Sequence, residues 1–283
     1  MTLRFLVLDA YDDAGRHSLA SVGAKDAGSL YRDAIRMTEP DAAIDVVPFT
    51  GRFDLPAGAS ISDYDAIVWT GSNMTVHQDT PAVRDQLAFA RAALGAGVAS
   101  FGSCWAVHVA VTATGGACAA NAKGRELGIA RTITQTAAGR GHVLFKGRAI
   151  AFDAFTSHED HVVSVGMGTT ILAANDWSAV QAVAVTQGRG LFWAVQYHPE
   201  FTLRDIARLC VLRAAQGIKQ GFFQSDADVA HYVEALETLH ADPTRTDIAY
   251  RLGIGADLLD PARRLGELRR FIDECVKERK YVL

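Results

Sequence analysis

The chain is poor in cysteine. Its 283 residues hold four, at positions 104, 118, 210 and 275, with no Cys-x-x-Cys spacing. Thiols so far apart exclude the clustered zinc patterns, and no metal is expected. The chain also lacks a block of basic residues with interleaved aromatics. At a net charge of −4 and a pI near 6.1 it has no global field to recruit nucleic acid. No apolar run is long enough to span a bilayer, so no membrane partner is expected. The opening apolar run, Phe5 to Leu8, is short and closed by Asp9, Asp12 and Asp13, which reads as a first buried strand rather than an export leader. Reduced thiols in a cytoplasmic protein are the corresponding expectation. A glycine-rich phosphate loop is missing as well, so neither ATP nor another cofactor is expected.

What the chain does have is apolar content, 49%, enough for one large α/β core and an appendage. Phe5–Leu8, Ile44–Val47, Ala66–Trp69 and Val98–Phe101 read as strands. Ser29–Met37 and Pro81–Leu94 between them read as helices, the second opening on proline. Pro48 to Ser62 reads as turns. Such alternation predicts an α/β, doubly wound, mainly parallel sheet with helices on both faces. From Arg125 to His198, short β-rich segments (Ala130–Thr134, Ala182–Thr186, Leu191–Tyr197) predict antiparallel hairpins packed onto that sheet. After Thr202 the strand signal ends. Leu203–Gln216, Ala227–Leu239 and Pro261–Lys280 carry apolar residues at helical spacing.

The run Val98 to Ala110 is the most informative in the chain. An apolar stretch reaches Gly102 and Ser103, then Cys104, then the helical-looking Trp105 to Val111. A strand turning sharply into a helix puts the turn residue on an exposed corner. A sulfur there sits near the helix N-terminus, where the partial positive charge and free amides favour a thiolate. Further on, Val195 to Phe201 supplies His198 and Glu200 at a strand end, with Pro199 fixing φ between them. A thiol, a base and an acid that orients the base make a complete nucleophilic set. Cys118, Cys210 and Cys275 read as small buried apolar residues.

The two segments resemble the class I, or triad, glutamine amidotransferases, which carry a Gly-x-Cys elbow and a C-terminal His-Pro-Glu. In the family's order, Ile67 to Ser72 is similar to its strand and glycine loop, and Gly124 to Ile129 to its Glu-x-Gly segment. Ser157 to Val163 is similar to the rim loop before its last strands. The resemblance implies a flavodoxin-like domain over residues 1–205 and leaves 206–283 as a helical extension packed on it. It implies a triad of Cys104, His198 and Glu200, and a substrate that is glutamine or a γ-glutamyl small molecule. The Trp105 and Gly71 amides would hold the oxyanion, with Ser72 beside them, and His158 and His161 would stand near the substrate. Gly71 has a second reading, as a turn that needs positive φ.

Two positions depart from the family's Gly-x-Cys-x-Gly-x-Gln, which here reads Ala106 and His108. His108 stands one helical turn from Cys104, where it faces the same pocket and can become charged. The sequence therefore leaves two classes open. One is a Cys hydrolase or transferase, either acting alone or passing ammonia to a separate synthetase. The other is a non-catalytic or regulatory module in which His108 alters glutamine binding. His17, His142, His231 and His240 are expected at the surface. The extension, with Leu236, Leu239, Ile248, Leu252, Leu258, Leu259, Leu265, Leu268, Phe271 and Ile272, is expected to pack within the chain in preference to a homodimer or synthetase contact.

Overall fold

The structure is a computed structural model that describes residues 2–51, 55–56 and 58–282; part of the turn-rich segment expected over 48–62 lies outside them. The chain runs β1 (Arg4–Asp9), α1 (Asp13–Ser21), α2 (Ala27–Thr38), β2 (Ala43–Pro48), β3 (Ala66–Trp69), α3 (Pro81–Ala96), β4 (Ala99–Ser103) and α4 (Trp105–Ala113). It continues through β5 (Ala117–Ala120), β6 (Glu126–Gln135), α5 (Ala137–Gly141), β7 (Ala151–His158), β8 (Asp160–Ser164), β9 (Thr169–Ala174), β10 (Ala182–Gln187) and β11 (Gly190–Val195). Helices α6 (Leu203–Leu212), α7 (Ala214–Lys219), α8 (Asp226–Ala241) and α9 (Thr246–Leu252) follow, then a broken helical run over 256–282. The starts are set by local chemistry: Asp12, Asp26 and Thr80 cap α1, α2 and α3 through their side chains, and Pro81 opens α3.

Nine strands form one sheet in the order β2-β1-β3-β4-β11-β10-β9-β6-β7. The first five are parallel, the flavodoxin-like part. The antiparallel strands differ from expectation: they extend this sheet edge to edge instead of packing on its face. The cause lies in β11, which pairs in parallel with β4 on one side (Val195 with Ser103) and antiparallel with β10 on the other (Val195 with Ala182). Among the described residues, β5 and β8 form a separate two-stranded ribbon. The segment Ser157 to Val163, expected as a rim loop, is a strand end, a turn at Glu159, and β8. Its alternation of buried His158, Asp160 and Val162 with more open positions between is the period-two signature of strands.

Both sheet faces are covered. One buries Leu6, Leu8, Ile67 and Trp69 against α3 and α4. The other buries Phe5, Val7, Phe101 and Val195 against α2 and against Leu268, Phe271 and Ile272 of the last helical run. Helices α6, α8 and α9 make a third cluster with Phe155 and Leu127. Eight of the ten apolar residues named in the extension are buried, and Leu252 and Leu259 pack partly against the third cluster. The single helix expected over Pro261–Lys280 is interrupted at Leu265, and Ile272–Lys277 is wound as a π-helix. No helix among the described residues is long and apolar enough to cross a membrane.

Candidate active site

Register explains how three distant residues meet. Trp69 pairs with Gly102, and Ser103 pairs with Val195, so the chains leaving β3, β4 and β11 emerge side by side at the carboxyl edge of the sheet. They carry Gly71, Cys104 and His198. Carboxyl edges of parallel strands are where open α/β sheets bind ligands. Cys104 is the corner between β4 and α4, with φ 50° and ψ −94°, outside the regions open to ordinary residues. Its amide donates to Val195 O at 2.8 Å, which ties the corner to the strand that delivers His198. The corner is tight because Gly102 has no side chain: a Cβ there would lie 2.3 Å from Trp69 O and 2.6 Å from the Ala106 methyl. Ala106 thus seats its extra methyl over a bare glycine.

The His198 imidazole is fixed on three sides. Its Nδ1 lies 2.7 Å from Glu200 Oε1, and the same oxygen accepts from Ser103 Oγ at 2.8 Å. The Phe201 ring stacks on it with centroids 3.9 Å apart and planes 2° from parallel. A Cβ added to Gly71 would lie 2.8 Å from His198 Cε1 and 3.8 Å from Cys104 Cβ. Gly71 is absent from the positive-φ residues. Its glycine is required by close approach to the imidazole, so the positive-φ reading is corrected. Burial alone would push the His198 pKa down, but the Glu200 carboxylate and the Cys104 thiol raise it to about 10. His198 therefore carries its proton at neutral pH.

Cys104 opens onto a cleft of about 370 Å³, walled by Ser72 to Thr75, Trp105, His108, Arg125, Ser157 to Asp160 and Arg213. The Trp105 amide begins α4, where an N–H has no acceptor within its own helix. Its indole is buried and donates to Gln86 Oε1 at 2.7 Å. Ser72 lines the cleft, but its hydroxyl is occupied, donating to Ala10 O and accepting from the Met74 amide. Cys104 Sγ lies 3.9 Å from Ser157 O. His158, expected on a loop, ends β7 and is buried, with Nε2 2.8 Å from Glu126 Oε2 and Nδ1 2.8 Å from Asp160 O. Glu126 in turn accepts from Asn175 and Gln181. His161 lies on β8 and is not among the cleft-lining residues.

His108 does face the cleft, with its Nε2 3.0 Å from Gln196 Oε1. The expectation that it can become charged is corrected: burial, reinforced by His158, pushes its pKa down to about 3. The sign for stability follows. Between pH 6.5 and 3 the unfolded chain binds this proton and the folded one does not, so acidification costs stability, by at most about 1.4 kcal/mol per pH unit. His108→Gln removes this contribution. Its melting temperature should fall less than that of the wild type between pH 7 and pH 5; an identical fall would contradict a neutral, buried His108.

His142 is a second correction, since it is half-buried with its ring 4.9 Å from that of Trp193. His17, His231 and His240 are exposed as expected. Burial pushes the thiols of Cys118, Cys210 and Cys275 up, to about 12, 12 and 11. Among the described residues, no three His, Cys, Asp or Glu side chains are grouped to hold a metal ion. Sequence reasoning missed Ser103, Phe201, Arg125, Asp160 and Arg213 in this region. Ser103, Arg125, Asp160 and Phe201 stand inside the segments singled out above and Arg213 in a helical stretch, but most of their contacts come from other strands and helices, so only the three-dimensional fold gives them a part.

A mostly parallel mixed sheet flanked by helices, with a cysteine corner and a buried His–carboxylate pair at its carboxyl edge, is the architecture of the glutamine amidotransferases. The chain belongs to the glutamine amidotransferase class I family, whose sequence model matches residues 26–209. A relative, the γ-glutamyl-L-1-hydroxyisopropylamide hydrolase of a Pseudomonas species, is 33% identical over 249 residues, covering 84% of this chain and 81% of that protein. The fold is shared with a glutamine amidotransferase of Thermotoga maritima, at a TM-score of 0.66 and 15% identity over 98% of this chain and 99% of that one. It is also shared with one from Methylobacillus flagellatus, at 0.62 and 16% identity over 96% and 94%.

Proposed function

We propose that this protein is a thiol amidohydrolase that cleaves γ-glutamyl amides through a thioester on Cys104. The observation that carries the reading is the buried imidazole of His198, held at 2.7 Å by Glu200 just beyond the strand that pairs with the one leading to Cys104. A protonated imidazole next to the sulfur is the partner a thiolate needs. The sulfur adds to the γ-carbonyl carbon, and the oxygen that becomes negative is met by the Trp105 and Gly71 amides. His198 gives its proton to the leaving nitrogen as the C–N bond breaks, which leaves an acyl thioester and a neutral imidazole. That imidazole takes a proton from water, the hydroxide adds to the thioester, and glutamate leaves with the thiolate restored. Glu200 stays ionised and orients the ring.

The identity of the leaving group is read from two observations. The Pseudomonas relative is named for hydrolysis of an N-substituted γ-glutamyl amide. In this chain the position four residues after the cysteine is His108, which already bonds Gln196. Both favour a substituted amide over free glutamine, and a hydrolase acting alone over one that feeds ammonia to a separate synthetase. Residues 206–283 are, on this reading, an extension that completes the sheet cover of the 1–205 domain and one wall of the cleft. The test is a panel of free glutamine and γ-glutamyl alkylamides, with ammonia, amine and glutamate measured. Amine and glutamate should appear in equal amounts from the alkylamides, and faster than ammonia from glutamine. No release from any of them would exclude the reading and favour a non-catalytic module.

A further inference from the structure

Among the charged groups of the cleft that have no part in the steps above, one has no ion-pair partner among the described residues. Arg213 lies between α6 and α7, just beyond the residues 26–209 matched by the family model. It lines the same cleft as Cys104. A second guanidinium, Arg125, lines this cleft too, and it is paired: its Nη2 donates to Glu159 Oε2 at 2.7 Å and its Nε to Gln216 Oε1 at 3.0 Å. Arg213 makes no ion pair among the described residues, and its Nε is buried without a hydrogen-bond partner. The cleft has two carboxylates, but Glu159 pairs with Arg125 and Asp160 lies 3.6 Å from His77 Nδ1, so neither is paired with Arg213.

The cost of that arrangement is visible in the side chain itself. Burial first, and then the nearby Arg125, push the Arg213 pKa below its ordinary value. A half-buried cation with an unmet N–H is expensive unless an anion arrives to pair with it. Its placement relative to the sulfur is given by the cleft, which both Arg213 and Cys104 line.

We infer that Arg213 binds the α-carboxylate of the γ-glutamyl group and so restricts the cleft to γ-amides of an α-amino acid. The planar guanidinium offers two parallel N–H donors to a carboxylate, which fixes the orientation of the bound acid as well as its charge. The inference rests on the reading of the cleft as a γ-glutamyl site. It gives the C-terminal extension a part in substrate choice, because the residue comes from beyond the family-matched segment.

The test compares L-γ-glutamylmethylamide with 4-aminobutyryl methylamide, which lacks only the α-carboxylate, by methylamine release. The wild type should prefer the first by about 30-fold or more in kcat/KM, the worth of a hydrogen-bonded charge pair. In Arg213→Gln this preference should collapse, through a raised KM for the first substrate. Arg213→Lys, which keeps the charge and loses the fork, should restore an intermediate ratio. A preference that survives in Arg213→Gln would overturn the inference. A second measurement needs no turnover: calorimetric binding of L-glutamate to Cys104→Ala, with and without Arg213→Gln. Loss of binding with Arg213→Gln supports the inference even if wild-type turnover fails and the catalytic reading falls with it. Unchanged glutamate binding overturns the inference whatever the turnover shows.

Discussion

Cys104→Ala should abolish amine release from γ-glutamyl amides, with kcat falling by about 10⁴-fold or more, the scale lost when a covalent nucleophile is removed. The variant should remain folded. Alanine takes over the same corner, the strain at φ 50° is unchanged, and only a sulfur facing the cleft is lost. His198→Ala should cost a comparable factor, because one imidazole serves as acid for the leaving nitrogen and as base for water. Glu200→Ala should cost less. It acts through the ring it holds at 2.7 Å, and Ser103 and Phe201 still flank the site. Double variants should lose little beyond the single ones, since the groups act as a unit. Wild-type kcat in any of the three single variants, measured on protein with a normal melting curve, would contradict the assignment of that residue.

The second large effect concerns the C-terminal helical run. Phe271 stacks on Phe101 with ring centroids 5.3 Å apart and meets Trp193 edge-on at 5.9 Å. Leu268, Phe271 and Ile272 are buried against Phe5, Val7 and Val195, on the face of the sheet that α2 covers only in part. A parallel sheet needs both faces covered. Phe271→Ala should therefore destabilise by about 3–5 kcal/mol, a large share of the 5–15 kcal/mol typical of a folded domain. That corresponds to a drop of about 10 °C in melting temperature for a chain of this size. Truncation after residue 205 removes the whole cover and the cluster around Leu236 and Leu239, and should give insoluble protein. A soluble truncate that melts like the full chain would show the extension to be dispensable.

Local chemistry made part of this molecule readable in advance. The strands and helices of residues 1–113 announce themselves through apolar runs, caps and Pro81, and the corner at Cys104 through the passage from strand to helix. The His198–Glu200 pair was also legible, because two functional groups on one strand end need no long-range information to be placed together. Where pairing partners decided the outcome, the sequence was silent. The antiparallel strands join the main sheet because β11 offers a free edge beside β4, a fact of tertiary register. His158 reads as a loop residue until Glu126, on another strand, is seen to hold it at 2.8 Å. His108 reads as a switchable charge until its burial and the Gln196 contact are known. Arg213 sits in an ordinary amphipathic stretch, and only the fold shows that its guanidinium lacks the carboxylate that Arg125 has.

The central claim is that Cys104 alone among the four cysteines is the reactive nucleophile, and a covalent-labelling measurement tests it most directly. The native protein is treated with an electrophile that mimics the γ-glutamyl group, its intact mass is recorded, and the modified residue is located by peptide sequencing. The account predicts a single adduct on Cys104, slowed strongly in His198→Ala, because Cys104 lines the cleft beside that imidazole while burial raises the thiol pKa of Cys118, Cys210 and Cys275. An adduct that forms first on Cys118, Cys210 or Cys275, or forms on Cys104 at the same rate without His198, would contradict it.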